Sequence, residues 1–102
     1  MKTPIYKWSG NYWGFIYNEK LFDKESNYKG WIDDNDQVWD KNGKYLGEVI
    51  QENYILRNTS KMEPMARMAK IEPMPPMAPI PRIDRIGKIE KIGWIDVLEE
   101  LK

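Results

Sequence analysis

Between residues 61 and 96 a large apolar side chain recurs at every third position, from Met62 and Met65 to Ile92 and Ile95. Few backbone conformations can use such a pattern. An α-helix advances about 100° per residue, so each three-residue step rotates the stripe by about −60° and no fixed face forms. A strand repeats with period two and fails as well. The 3₁₀-helix has the right period but rarely persists beyond a few residues. Polyproline II has three residues per turn, needs no internal hydrogen bonds and accommodates proline. Collagen is excluded, because glycine does not stand at every third position. The spacing therefore predicts an extended, polyproline-II-like arm.

Such an arm has three edges. Met and Ile form an apolar ridge that includes Met65, Met68, Ile71, Met74, Met77, Ile80, Ile83, Ile86, Ile89 and Ile92. The first position of each triplet is Lys, Arg or Pro, with Trp94 the exception, and the third is acidic, Ala, Gly or Pro. Run straight, the arm would reach roughly 110 Å, far beyond the width of a small domain. It must fold back, with Gly87 or Gly93 as bends, or dock on other subunits. A ridge of large apolar side chains asks to be covered, and these ten residues are the candidate assembly surface. The period breaks at the end, where Trp94–Leu101 is expected to form one or two helical turns with Asp96 as N-cap.

Composition changes where the arm begins. All six Tyr, both Phe and four of the five Trp lie in residues 1–58, whereas five of the six Met and six of the seven Pro lie in residues 59–102. The boundary falls near Asn58-Thr59-Ser60. It separates a β-hairpin repeat domain, 1–58, from the arm, 59–102.

The first part repeats. Ile5-Tyr6, Leu21-Phe22 and Val38-Trp39 each open a unit, and a fourth, degenerate start follows at Tyr54-Ile55-Leu56. The shared pattern is aliphatic, aromatic, often Asp, a polar turn, then Tyr-x-Gly and an aliphatic residue. Units begin 16 or 17 residues apart. β-branched and aromatic residues with a turn such as Asn42-Gly43 read as a hairpin. Asp23 and Asp40 stand where a carboxylate accepts turn N–H groups. Gly14, Gly30 and Gly47 mark a bulge, a bend or close approach of another backbone. The fold class expected is all-β: four hairpin units around a pseudo-symmetric centre, followed by the arm.

The aromatic–Asp–turn–Gly hairpins, followed by a Pro-rich triplet segment and a late Trp, resemble the 4-fold beta flower proteins, small bacterial proteins of no assigned activity. The resemblance covers roughly Ile5 to Trp94. It implies four pseudo-symmetric hairpins with aromatic residues towards the middle, and it supplies no catalytic residues. The chain departs from the pattern in its fourth unit, which lacks the turn Gly and the second-strand Gly, and in a tail where Lys, Arg and Ala replace many prolines.

Chemistry is sparse. Cys and His are absent, so thiol nucleophiles, zinc–thiolate sites and the commonest general base are excluded. Sixteen basic and sixteen acidic residues give zero formal charge, with no basic half to meet nucleic acid. No apolar run approaches the roughly 18 residues of a membrane span, and no secretory signal is visible. A soluble cytoplasmic protein is expected, without enzymatic activity, cofactor or metal. Asp33-Asp34-Asn35-Asp36 lacks the Gly and distal Glu of a calcium loop and reads as a solvated turn. Tyr6, Trp8, Phe15, Phe22, Trp31 and Trp39 are either the domain core or the lining of a central pocket for a polymer, sugar or Pro-rich peptide. An intermediate reading has them hold the protein's own arm, from the same chain or a neighbour. The functional expectation is a homo-oligomeric structural or assembly protein; the alternative is a ligand-binding module built on those aromatics.

Overall fold

The repeat becomes hairpins because each unit carries its own turn. In a computed structural model, residues 2–59, 65–68, 70, 72–74, 76–80, 82–88, 92–98 and 101 are described. The turns of the first three hairpins share one geometry: Lys7, Asp23 and Asp40 each accept a backbone N–H from the residue three positions on (Gly10, Ser26, Gly43), as Asp33 does from Asp36 in the β-turn between the second and third hairpins. The Asp23 carboxylate then takes the N–H of Glu25 and Asn27, and that of Asp40 takes the N–H of Asn42 and Lys44, as the sequence predicts.

The strands are β1 (Thr3–Tyr6), β2 (Tyr12–Tyr17), β3 (Lys20–Asp23), β4 (Tyr28–Ile32), β5 (Gln37–Asp40), β6 (Tyr45–Ile50), β7 (Tyr54–Asn58) and β8 (Trp94–Asp96). They form one antiparallel sheet in sequence order. The sheet curls until β1 reaches the start of β7: the Tyr6 N–H donates to the Asn53 carbonyl, and the Asn53 amide donates to the Pro4 carbonyl.

The Tyr-x-Gly motif explains the curl. In the first three hairpins the register slips by one residue, so that Ile5 faces Gly14 while Tyr6 faces Tyr12. The same step occurs at Leu21/Phe22 and at Val38/Trp39. Trp13, Lys29 and Leu46 are thus the extra residues of β-bulges, which bend and twist a strand. A Cβ at Gly14, Gly30 or Gly47 would overlap a carbonyl oxygen of the adjoining hairpin (Phe22, Trp39 and Leu56, respectively), so only Gly permits this packing.

The fourth hairpin is completed from far along the chain. β8 pairs with β7, with Leu56 opposite Asp96 and Asn58 opposite Trp94. Everything between Asn58 and Trp94 is therefore the connection of this hairpin. The helical turns expected over Trp94–Leu101 do not form over Trp94–Asp96, which is instead strand β8, held extended by its ladder with β7. Past it, among the described residues, Asp96 accepts the Leu98 N–H and Leu98 accepts that of Leu101; residues 99 and 100 lie outside them.

The centre is aliphatic. Ile5, Leu21, Ile32, Val38, Leu46, Ile55, Val97 and Leu98 form one buried cluster drawn from all four hairpins. The resemblance implied aromatic residues there, and the structure corrects this. Neighbouring strand residues point to opposite faces. In each aliphatic–aromatic pair the aliphatic residue turns to the centre and the aromatic one away from it. The aromatics gather instead in three separate clusters: Tyr6, Tyr12 and Tyr54 with Trp8; Phe15, Phe22 and Tyr28 with Tyr17; and Trp31, Trp39 and Tyr45.

Candidate interaction surface

Two of the aromatic clusters are built on cross-strand pairs between successive hairpins. Phe15 lies opposite Phe22 and Trp31 opposite Trp39, each pair stacked at 16°. At the equivalent place between β6 and β7 stand Glu48 and Leu56. Such seams place ring faces on the side of the sheet away from the aliphatic centre, and arm side chains lie over those of Trp31 and Trp39.

The arm follows the three hairpin turns in reverse order. The Arg67 N–H donates to the Gly43 carbonyl (2.8 Å), the Ser26 hydroxyl donates to the Pro76 carbonyl, and the Arg85 N–H donates to the Gly10 carbonyl (2.7 Å). Arg67, Pro76 and Arg85 are spaced by nine residues, or three triplets per hairpin. The next step arrives at Trp94, the start of β8, where the Thr59 N–H donates to the Gly93 carbonyl. The triplet repeat of the arm is thus in phase with the hairpin repeat of the sheet.

Among the described residues, the ring contacts of the arm are made from first positions of triplets. The Arg67 guanidinium lies 4.4 Å from the Trp39 ring centroid and Lys70 Nζ 5.3 Å from that of Trp31. Arg85 lies 4.1 Å from the Tyr6 ring, and Lys88 reaches the rings of Trp8 and Tyr54. Cations over electron-rich rings attract by about 0.5–2 kcal/mol each, depending on desolvation. Around Ser26, beside the Phe15–Phe22–Tyr28 cluster, the first positions are Pro73, Pro76 and Pro79, all half-buried. The arm therefore presents cations to Trp and Tyr rings, and a proline carbonyl to Ser26.

Carboxylates fix the ends of this strap. Asp84 accepts the Tyr12 N–H and Asp96 accepts the Trp8 N–H at the first turn, where Lys7 replaces the capping Asp of the other two turns. Asp33 sits in the β4–β5 turn, taking the N–H groups of Asn35 and Gln37 and the indole N–H of Trp39, with Arg67 at 3.3 Å. Burial pushes its carboxyl up, but Trp39, the two turn amides and Arg67 outweigh this and hold it below the usual carboxylate range. Burial and the nearby charge of Glu72 push the Tyr28 hydroxyl up. Among the described residues no cluster of three His, Cys, Asp or Glu could hold a metal.

The candidate residues of the sequence now have places. Tyr6, Phe15, Phe22, Trp31 and Trp39 are buried in the seams beneath or beside the arm, and Trp8 is half-buried against Tyr54. The ridge points the other way. Met65, Met68, Met74, Met77, Ile80, Ile83, Ile86 and Ile92 are each 86–96% exposed. Ile71 and Ile89 lie outside the described residues. The arm does fold back on its own sheet, but on its basic and proline edge.

This architecture defines a small hairpin-repeat β protein strapped by its own arm. A family model for the 4-fold beta flower protein matches residues 2–96, and the chain belongs to that family. No curated protein and no solved structure matches it. Among the described residues no helix is long and apolar enough to cross a membrane.

Proposed function

We propose that the protein is a non-enzymatic assembly module that self-associates through the apolar ridge of its polyproline-II-like arm. The observation that carries this is the near-complete exposure of eight Met and Ile side chains in one periodic row. Monomeric proteins rarely leave large contiguous apolar patches in water. Covering one such side chain contributes about 1.5–3 kcal/mol, so covering most of the row yields roughly 10–20 kcal/mol. Association costs about 4–15 kcal/mol in lost freedom, so a contact along the whole ridge succeeds where a contact at one or two residues fails. In this reading the aromatic residues serve the arm: they hold its backbone in the form that presents the ridge.

The test is solution mass by light scattering over a range of concentrations. The full chain is expected to form a discrete oligomer. The variant Met68→Ser/Met77→Ser/Ile83→Ser/Ile86→Ser is expected to be monomeric with an unchanged unfolding midpoint at high dilution. A full chain that stays monomeric at high concentration, or a quadruple variant that assembles like the parent, overturns the reading. Substitution is preferred to removal of residues 59–102, which would also delete β8, Val97 and Leu98.

A further inference from the structure

Because antiparallel strands alternate direction, the arm follows the turns within hairpins, and the connections between hairpins gather at the opposite end of the sheet. A cavity of about 530 Å³ opens there. Its walls include Ile16, Ile32 and Val49, one from the second strand of each of the first three hairpins. Glu19, Asp36 and Glu52 stand around it, one from each connection between hairpins. Both sets recur at the 16–17-residue spacing of the repeat, so the pseudo-symmetry that builds the fold also builds this cavity.

The walls and the rim differ in character. Ile32 is buried, and Ile16 and Val49 pack on the aliphatic centre while keeping part of their surface towards the opening. The size lies within the range of about 300–1,000 Å³ usual for small-molecule sites, which combine apolar walls with a few polar groups that fix orientation. The three carboxylates are exposed and, among the described residues, take no hydrogen bond or ion pair. Among the described residues, no basic residue is part of the lining. An apolar body can sit against Ile16, Ile32 and Val49, and only a positive head group complements the charge above it.

We infer that this cavity binds a small organic ammonium ion carrying an apolar body. The carboxylates supply discrimination by sign, and the aliphatic walls supply most of the contact. Among the described residues no arm residue lines the cavity, so this inference is independent of the assembly reading.

The test uses the full chain and three probes of similar size, titrated by calorimetry and by amide NMR shifts: 2-phenylethylammonium, 2-phenylethanol and phenylacetate. The ammonium is expected to bind saturably and to shift amides of β2, β4 and β6. The alcohol is expected to bind about tenfold more weakly or worse, a difference of about 1.4 kcal/mol, and the anion not at all. In Glu19→Gln/Asp36→Asn/Glu52→Gln the preference for the ammonium over the alcohol should vanish. The inference is overturned if the ammonium does not bind, if the alcohol binds equally well to the wild type, or if the neutralised variant discriminates undiminished. The wild-type comparison decides the matter alone should the variant fold poorly.

Discussion

Leu98 and Ile92 stand six residues apart on the same segment and face opposite environments. Leu98 is 1% exposed within the aliphatic centre, whereas Ile92 is 96% exposed. Leu98→Ala removes three carbons from a filled core. At about 0.8 kcal/mol per carbon the transfer loss is about 2.4 kcal/mol, and the cavity left behind raises it to about 3–4 kcal/mol. A domain of this length has about 5–15 kcal/mol in total, so the variant should lose a large part of its stability and melt roughly 10–25 °C lower. Ile92→Ala removes the same number of carbons from a side chain in water and should change stability by less than about 0.5 kcal/mol. Urea unfolding followed by tryptophan fluorescence measures both. It should be run at high dilution, because association would add apparent stability to the parent. A Leu98→Ala cost below about 1 kcal/mol, or equal costs for the two variants, would refute the placement of the segment after β8 in the core.

Two further outcomes test the strap. Asp33 has a depressed carboxyl pKa, so its stabilisation is full above the unfolded value of about 3.9 and is lost as pH falls through the folded value. Asp33→Asn should therefore melt lower than the parent at pH 7, by about 1–2 kcal/mol; the gap should narrow below about pH 4, and a gap that widens there would show the sign to be wrong. Arg85→Gln keeps the backbone bond to Gly10 but removes the guanidinium from the Tyr6 face, and is expected to cost about 1 kcal/mol and to speed proteolytic cleavage of the arm. Unchanged melting together with unchanged cleavage would mean that the ring contact holds nothing.

Much of the sheet was legible because it is written locally. Asn42-Gly43, Asp23 and Asp40 specify turns by their own chemistry, and the 16–17-residue spacing counts the hairpins. The connections between hairpins were harder to read. Asn18-Glu19 and Gln51-Glu52 turn with positive φ at residues other than Gly, so their sequence carries no strong turn signal. β8 reads in the sequence as the end of the arm and the start of a helical turn, because a three-residue strand has no periodicity of its own and its partner lies 36 residues away. The ridge was visible, but period three shows only that a stripe exists. Which stripe faces the sheet is decided by matching cations to Trp and Tyr rings across the fold. The aliphatic centre could have been read earlier: Ile5-Tyr6, Leu21-Phe22 and Val38-Trp39 are adjacent strand residues, and adjacent residues cannot share one face.

The long loop that closes the fourth hairpin also sets a timetable for biosynthesis. Three hairpins, each with a local turn, can form as soon as they leave the ribosome, since short loops close in microseconds or less. β7 cannot pair on its outer side until Trp94–Asp96 has been made. At about 5–20 residues per second that delay is roughly 2–7 s. Through this interval the nascent chain carries an open strand edge and uncovered ring faces, the features that invite wrong partners. A neighbouring chain on the same messenger would meet them at the same stage. The hazardous interval therefore lies between the synthesis of β7 and that of β8, and slowing translation across residues 59–93 should favour aggregates over the folded form.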